Sequence, residues 1–138
     1  MKQMITTKVS LDTNILVYTH DIANSYKRSV ALNKLDLSPI ISTQAISEYI
    51  NVLRRLYKIS KQELIDLCLG NLEGCIIQQV AFSTLKLAKK IVAGYDLQLF
   101  DSIIVASSLE AGCEILYSED MQHNLVVEKK LKIVNPFI

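Results

Sequence analysis

The chain lacks the features by which several classes of protein are usually identified. It has no tryptophan, only four glycines and only two prolines in 138 residues, so helix and strand ends depend mainly on capping side chains. No apolar stretch approaches the roughly 18 residues of a membrane-spanning helix. Residues 1–8 contain no continuous apolar region like that of a secretory signal. We therefore expect a cytoplasmic protein that does not insert into a membrane.

Cysteine content and charge exclude further classes. Three cysteines with no C-x-x-C spacing argue against both a disulfide framework and a zinc knuckle, and we expect buried free thiols at Cys68, Cys75 and Cys113. The net charge of +1 does not indicate nucleic-acid binding by bulk charge. Glycine-rich phosphate loops are also absent, which argues against a nucleotide-hydrolysing switch.

The pattern of apolar residues predicts an α/β fold. Half of the residues are hydrophobic and 21% are charged, as in a single folded domain that spans residues 1–138. Helical stretches alternate with short apolar runs, which predict strands near residues 8–11, 39–42, 75–80, 114–118 and 131–134. This alternation favours a short central parallel sheet of about five strands with helices on both faces.

Four acidic residues occupy places where such a fold would gather them. Asp12 follows the apolar run Val9-Ser10-Leu11, and Asp120 closes the segment that contains the fourth strand. Right-handed crossovers put these two acids at the same sheet edge, where open α/β sheets bind ligands. Glu48 lies in a predicted helix, and Asp101 begins another.

Convergence of these acids carries an electrostatic cost. Two unit charges about 5 Å apart repel by roughly 3 kcal/mol at an effective dielectric constant of about 20. A cluster of four acids is stable only if some remain protonated or if a multivalent cation neutralises them. The placement therefore predicts a Mg²⁺ or Mn²⁺ site.

Each candidate also has a structural alternative. Asp12 could serve only as a helix N-cap, and Glu48 could pair with an arginine. Glu119 competes with Asp120, and the Ser-x-Asp pattern favours Asp120. Surface or turn positions, and no catalytic role, are expected for His20 and His123. Core positions are expected for three aromatic residues that could otherwise stack on a base: Tyr18, Tyr49 and Phe100.

Basic residues recur outside the predicted acidic site. They fall in three groups: Arg54, Arg55, Lys58 and Lys61; Lys86, Lys89 and Lys90; Lys129, Lys130 and Lys132. An acidic pocket with basic surroundings suits an enzyme that acts on phosphodiesters, because the bases hold the backbone. For any single group, a solvated helix face is the alternative.

Four motifs in order carry a resemblance to a known family. They are Leu11-Asp12-Thr13-Asn14, Ser47-Glu48, Phe100-Asp101-Ser102 and Ser118-Glu119-Asp120. With them the chain resembles the PIN-domain ribonucleases, and most closely the VapC-type toxins of toxin–antitoxin pairs. The resemblance covers nearly the whole chain, with residues 1–7 as a short leader. Asn124 and Ser102 depart from common family residues and bear only on loop shape.

The resemblance implies a function and a set of roles. The function is a metal-dependent endoribonuclease that hydrolyses RNA phosphodiester bonds, with Mg²⁺ or Mn²⁺ as cofactor. The implied catalytic and metal-binding residues are Asp12, Glu48, Asp101 and Asp120. Hydrogen-bonding support is implied for Thr13, Asn14 and Ser118. The implied partners are RNA, a cognate antitoxin and a second copy of the chain in a homodimer.

Two other interpretations come from different classes. A PIN-fold module could bind RNA or protein and act by sequestration without cleavage; loss of one of the four acids would favour it, and all four are present. A receiver domain of the response-regulator kind also gathers acids at strand ends. It needs a lysine on a late strand, and the only candidate, Lys132, lies outside any such motif.

Overall fold

A computed structural model describes residues 7–138, so the predicted leader lies outside the described part of the chain except for Thr7. This part contains six short strands. They are β1 (Val9–Leu11), β2 (Ile40–Ser42), β3 (Ile76–Gln78), β4 (Ile115–Tyr117), β5 (Val126–Val127) and β6 (Leu131–Val134).

The strands form one sheet in the order β3-β2-β1-β4-β6-β5. The five predicted strands are all present and mutually parallel, which confirms the α/β class. The predicted number of strands was one too low, because β5 pairs antiparallel with β6 at one edge. A strand of two residues has no measurable alternation, so the sequence pattern did not reveal it.

Six helices connect these strands within residues 7–138. They are α1 (Thr13–Tyr18), α2 (Ser25–Leu35), α3 (Thr43–Leu56), α4 (Lys61–Asn71), α5 (Phe82–Gly94) and α6 (Leu99–Glu110). Polar side chains cap several helix N-termini, as expected for a chain with few glycines and prolines. The hydroxyl of Ser42 accepts the N–H of Gln44, and the hydroxyl of Ser60 accepts the N–H of Glu63. None of these helices is long and apolar enough to cross a membrane.

The centre of the sheet is covered on both faces. Every residue of β1 and β2 is buried, although successive side chains of a strand point to opposite faces. On one face, Ser10 hydrogen-bonds Ser108 of α6 at 2.6 Å. Ser42 makes the equivalent bond to Ser107 at 2.9 Å, so these buried hydroxyls are satisfied. Helices therefore pack on both faces, as the sequence predicted.

The sheet order determines where the site forms. Strands β1 and β4 are direct neighbours, with Leu11 in register with Tyr117. The backbone N–H of Asp12 donates to the carbonyl of Tyr117 at 2.9 Å, so the ladder continues one residue past β1. Asp12 and Ser118 therefore leave the same edge of the sheet side by side.

Stability should depend more on the centre of the sheet than on its β3 edge. Leu116 on β4 is fully buried, so Leu116→Ala should lower the free energy of unfolding by about 2–5 kcal/mol. Ile76 on β3 is 56% exposed, and Ile76→Ala should cost about 1 kcal/mol or less. Urea unfolding measures both variants, and equal destabilisation of the two would contradict this arrangement of the sheet.

Candidate functional site

A cleft of about 820 Å³ opens where β1 and β4 end. Six acidic residues contribute to its lining: Asp12, Glu48, Asp96, Asp101, Glu119 and Asp120. No lysine, arginine or histidine of the described chain is part of that lining. The cleft therefore concentrates negative charge without a basic side chain in its wall.

Asp12 is the most deeply placed of these acids. It is the N-cap of α1, and the residue is only 3% exposed. Oδ1 accepts the backbone N–H of Thr13 at 2.7 Å, and Oδ2 accepts the hydroxyl of Ser118 at 2.7 Å. The capping role that was its structural alternative is present, and it leaves the carboxylate within the lining of the cleft.

Asn14 joins two of the acids. Its Nδ2 donates to Oδ2 of Asp12 at 3.2 Å and to Oδ2 of Asp120 at 3.0 Å. Its Oδ1 accepts the backbone N–H of Glu119 at 3.2 Å, which fixes the amide orientation. One side chain therefore holds the carboxylates of Asp12 and Asp120 side by side.

Glu48 and Asp101 enter the cleft from two helices in mutual contact, α3 and α6. Glu48 is partly buried, and its side chain accepts one long hydrogen bond, from Gln44 at 3.4 Å. No arginine of residues 7–138 forms an ion pair with Glu48, so the structural alternative for this acid finds no support.

Burial and mutual repulsion shift the pKa values of these acids in the same direction. Burial raises the pKa of Asp12 to about 6, and the charges of Asp101 and Asp120 add to the rise, against hydrogen bonds from Ser118 and Thr13. Burial and the charge of Asp12 raise the pKa of Glu48. Burial, Glu48 and Asp120 raise the pKa of Asp101. The carboxylates are therefore close enough to oppose one another's ionisation.

The remaining predicted residues surround this group. Ser118 is fully buried behind Asp12, and its hydroxyl also accepts the N–H of Met121 at 3.2 Å. Thr13 supports Asp12 through its backbone N–H, whereas its hydroxyl donates to the carbonyl of Ala45 on α3 at 3.4 Å. The structure thus brings all seven predicted residues together, while their catalytic and metal-binding roles remain predictions.

Glu119 and Asp120 have different surroundings. Glu119 pairs with Lys27 and accepts the hydroxyl of Tyr18 at 2.5 Å. Although burial acts to raise it, these hydrogen bonds hold the pKa of Glu119 below its usual range. Glu119 is thus already neutralised by a lysine, whereas Asp120 is directed toward Asn14 and Asp12.

The sequence missed one acid of the cleft and misplaced one aromatic residue. Asp96 lies in the short segment between α5 and α6, and its position just ahead of Asp101 was the available signal. Phe100 is 56% exposed, so its expected core position was wrong, because residues at the start of α6 face solvent. The expected core position of Tyr49 is correct, and His123 is exposed and outside the cleft lining.

The donor set fits a hydrated divalent cation. Carboxylate and amide oxygens are the ligands that Mg²⁺ and Mn²⁺ prefer. In the described part of the chain, no three acidic, histidine or cysteine side chains converge closely enough to enclose an ion by themselves. Mg²⁺ commonly keeps several water ligands and uses one or two carboxylates, so an open cleft of this kind suits it.

Comparison with known proteins agrees with the fold. A family model described as the PIN domain matches residues 9–128. A toxin–antitoxin complex from Klebsiella pneumoniae has a chain that superposes with a TM-score of 0.70 at 19% identity, covering 94% of this chain and 98% of that one.

Two further structures are similar. VapC20 of Mycobacterium tuberculosis, a toxin that cleaves the sarcin–ricin loop, gives a TM-score of 0.64 at 13% identity over 82% of this chain and 90% of that one. FitAB bound to an IR36 DNA fragment gives a TM-score of 0.65 at 15% identity, covering 94% of this chain and 96% of that one. No curated protein matches the sequence significantly.

The raised pKa values of the cleft acids predict that the stability of the protein in EDTA depends on pH. Since the pKa values of Asp12, Glu48 and Asp101 are raised in the folded state, their ionisation destabilises it. This destabilisation is absent below the ordinary Asp value of 3.8, grows as pH rises, and for Asp12 is complete above about 6. Relative to wild type, Asp101→Asn should become progressively more stable as the pH rises above the ordinary Asp value, because the substitution removes one of the opposed charges.

Urea unfolding at a series of pH values measures this gain. Asp66→Asn provides the matched control, because Asp66 is exposed on α4 and outside the cleft lining. Its stability difference from wild type should stay constant across the same range. An equal pH-dependent gain in both variants would show that general surface charge is responsible.

Proposed function

The chain belongs to the PIN domain family, and on that premise we propose that it is a metal-dependent endoribonuclease that hydrolyses RNA phosphodiester bonds. We assign it the role of toxin in a toxin–antitoxin pair, acting in the cytoplasm. The observation that supports this proposal best is the cleft with six acids and no basic residue of the described chain in its lining. The catalytic and metal-binding residues we propose are Asp12, Glu48, Asp101 and Asp120.

The proposed division of labour follows the contacts in the cleft. The four acids would hold Mg²⁺ or Mn²⁺, which when bound would supply an activated water and neutralise charge on the phosphoryl oxygens. Asp12 and Asp120 provide two carboxylates that Asn14 keeps in a fixed relation, and Ser118 holds Asp12 from behind. Glu48 and Asp101 approach from α3 and α6, so the site is fixed by both helices and the sheet edge.

No side-chain nucleophile is needed for this chemistry. The hydroxyls closest to Asp12 already have partners: Ser118 donates to Asp12, and Thr13 donates to the carbonyl of Ala45. His123 lies outside the lining of the cleft. The acids of the cleft are accordingly the residues that we propose to hold the ion.

The charge of the cleft also indicates how an antitoxin would inhibit it. An arginine inserted by a partner could form charge-assisted hydrogen bonds with the same carboxylates. Glu119 already pairs with Lys27, which lies outside the lining, so one acid of this wall has a basic partner within the chain itself. A cognate antitoxin is accordingly the proposed regulatory partner, and a second copy of the chain completes the proposed homodimer.

RNA cleavage tests the proposed activity. The purified protein should cleave single-stranded RNA in Mg²⁺ or Mn²⁺ and stop when EDTA is added. Glu48→Gln keeps the shape of the side chain but removes its charge, so it should fold normally and cleave about 10²-fold more slowly. Glu73→Gln, at an exposed position outside the cleft, should cleave like wild type. Full activity of Glu48→Gln would mean that this acid is structural.

Growth of cells that express the chain separates catalysis from sequestration. Expression of the wild-type protein should arrest growth, and Asp101→Asn, at equal protein level, should not. Asp66→Asn removes one acid elsewhere and should still cause arrest. Arrest by Asp101→Asn would instead favour the binding module that acts without cleavage.

A further inference from the structure

A ridge of lysines lies outside the acidic cleft. It consists of Lys86, Lys89 and Lys90 on α5, and of Lys129 and Lys130 at the turn between β5 and β6; we call these five residues the lysine ridge. All five are exposed. Helix α5 carries no acidic residue along its whole length, so these lysines have no acidic partner on their own helix.

The exposed side of α5 combines positive charge with an aromatic ring. Residues three and four apart share a helix face, so Phe82, Lys86, Lys89 and Lys90 project on the same side. Thr84, Ala88 and Ile91 of this helix are buried on the other side. Phe82 is 72% exposed, and the Nζ atom of Lys86 lies 5.0 Å from its ring centroid.

The β5–β6 turn adds the other two lysines in an unusual backbone conformation. Glu128 and Lys129 have φ values of 53° and 58°, and the N–H of Lys130 donates to the carbonyl of Val127 at 3.1 Å. A β-turn with positive φ at both central residues ordinarily has glycine, asparagine or aspartate there. Here two long charged residues occupy it, and such strain is found preferentially at functional sites.

Contacts of Glu128 connect this turn to α5. Its N–H donates to the hydroxyl of Tyr95 at 2.9 Å, and its carboxylate lies 3.4 Å from Nζ of Lys90. Lys90 and Lys130 line one hollow of about 270 Å³ together with Glu110 and Glu128. Two basic groups that are distant in the sequence therefore lie beside each other, with two acids in the same hollow.

The ridge is connected to the cleft through the chain itself. Helix α5 ends at Gly94, and the residues that follow Tyr95 line the cleft: Asp96, Leu97 and Gln98. Lys90 is therefore the ridge lysine that lies nearest to the cleft along the chain, and Lys86 lies one helical turn further from it.

We propose that the lysine ridge binds the sugar–phosphate backbone of RNA outside the cleft, an inference that rests on the proposed ribonuclease function. The acids of the cleft repel a polyanion, so affinity for RNA must come from basic residues elsewhere. Lysines that bind phosphates provide such affinity without sequence preference, and the exposed ring of Phe82 can stack on a base. The ridge thus retains long RNA, while the cleft performs the reaction.

Binding is tested separately from cleavage. Fluorescence anisotropy of a labelled single-stranded RNA is measured with Asp101→Asn protein in EDTA, so that no cleavage occurs. Three further substitutions in this background, Lys86→Gln, Lys90→Gln and Lys130→Gln, should weaken RNA binding roughly tenfold at moderate salt. The slope of log affinity against log salt should fall by about 0.7 for each phosphate that the protein no longer neutralises.

A charge-matched control carries Arg55→Gln, Lys58→Gln and Lys61→Gln in the same background. These residues belong to another of the three basic groups of the sequence and are exposed near the junction of α3 and α4. The proposal assigns that group to a solvated helix face, so the control should bind RNA like its parent. Circular dichroism and urea unfolding verify that both triple variants are folded. In the cleavage-competent protein, the ridge substitutions should raise KM for long RNA and leave the cleavage of a short oligonucleotide unchanged.

The possible outcomes distinguish failure of the lysine-ridge proposal from failure of the proposed ribonuclease function. If RNA binding is weakened equally in both triple variants, or unchanged in both, the lysine ridge is not the RNA-binding surface. That conclusion holds even if metal-dependent cleavage is observed. Absence of cleavage by the wild-type protein would overturn the ribonuclease but leave the anisotropy result valid. Unchanged RNA binding together with ridge-dependent binding to phosphatidylserine vesicles would assign the surface to a membrane and overturn the proposal.

Discussion

Mutual repulsion among the carboxylates of the cleft is the constraint on which the rest of the site depends. Burial raises the pKa of Asp12, Glu48 and Asp101, and the charge of another member of the predicted group of four acids raises each of them further. Such a group remains together only because rigid elements hold it. The β1–β4 ladder fixes Asp12, Asn14 joins it to Asp120, and α3 and α6 supply the other two.

The buried sheet provides the rigidity that this repulsion requires. Strands β1 and β2 are buried on both faces, and the serine pairs with α6 leave their hydroxyls satisfied. The first residues beyond β1 and β4 therefore have little freedom to separate. A divalent cation held by these acids would then relieve the repulsion, and the fixed positions of the acids are a form of electrostatic preorganisation.

Much of this could be predicted because it depends on local pattern and topology. Apolar runs located five parallel strands, and the crossover rule placed Asp12 and Asp120 at the same sheet edge. Features that depend on three-dimensional contact could not be read in the same way. Asp96 belongs to no motif, the ion pair of Lys27 with Glu119 joins distant segments, and the strand β5 is too short to show a period. The lysines of α5 and of the β5–β6 turn likewise form one ridge only in the folded chain.

Calorimetric titration of Mn²⁺ into the purified protein tests the central claim most directly, because it measures the cation and not its consequences. The wild-type protein and Asp66→Asn should both bind the ion in the same saturable manner, whereas Asp12→Asn and Asp101→Asn should bind it at least about tenfold more weakly. Equal binding by all four proteins, or no binding by the wild-type protein, would contradict the claim that the cleft acids are held together to receive a metal ion.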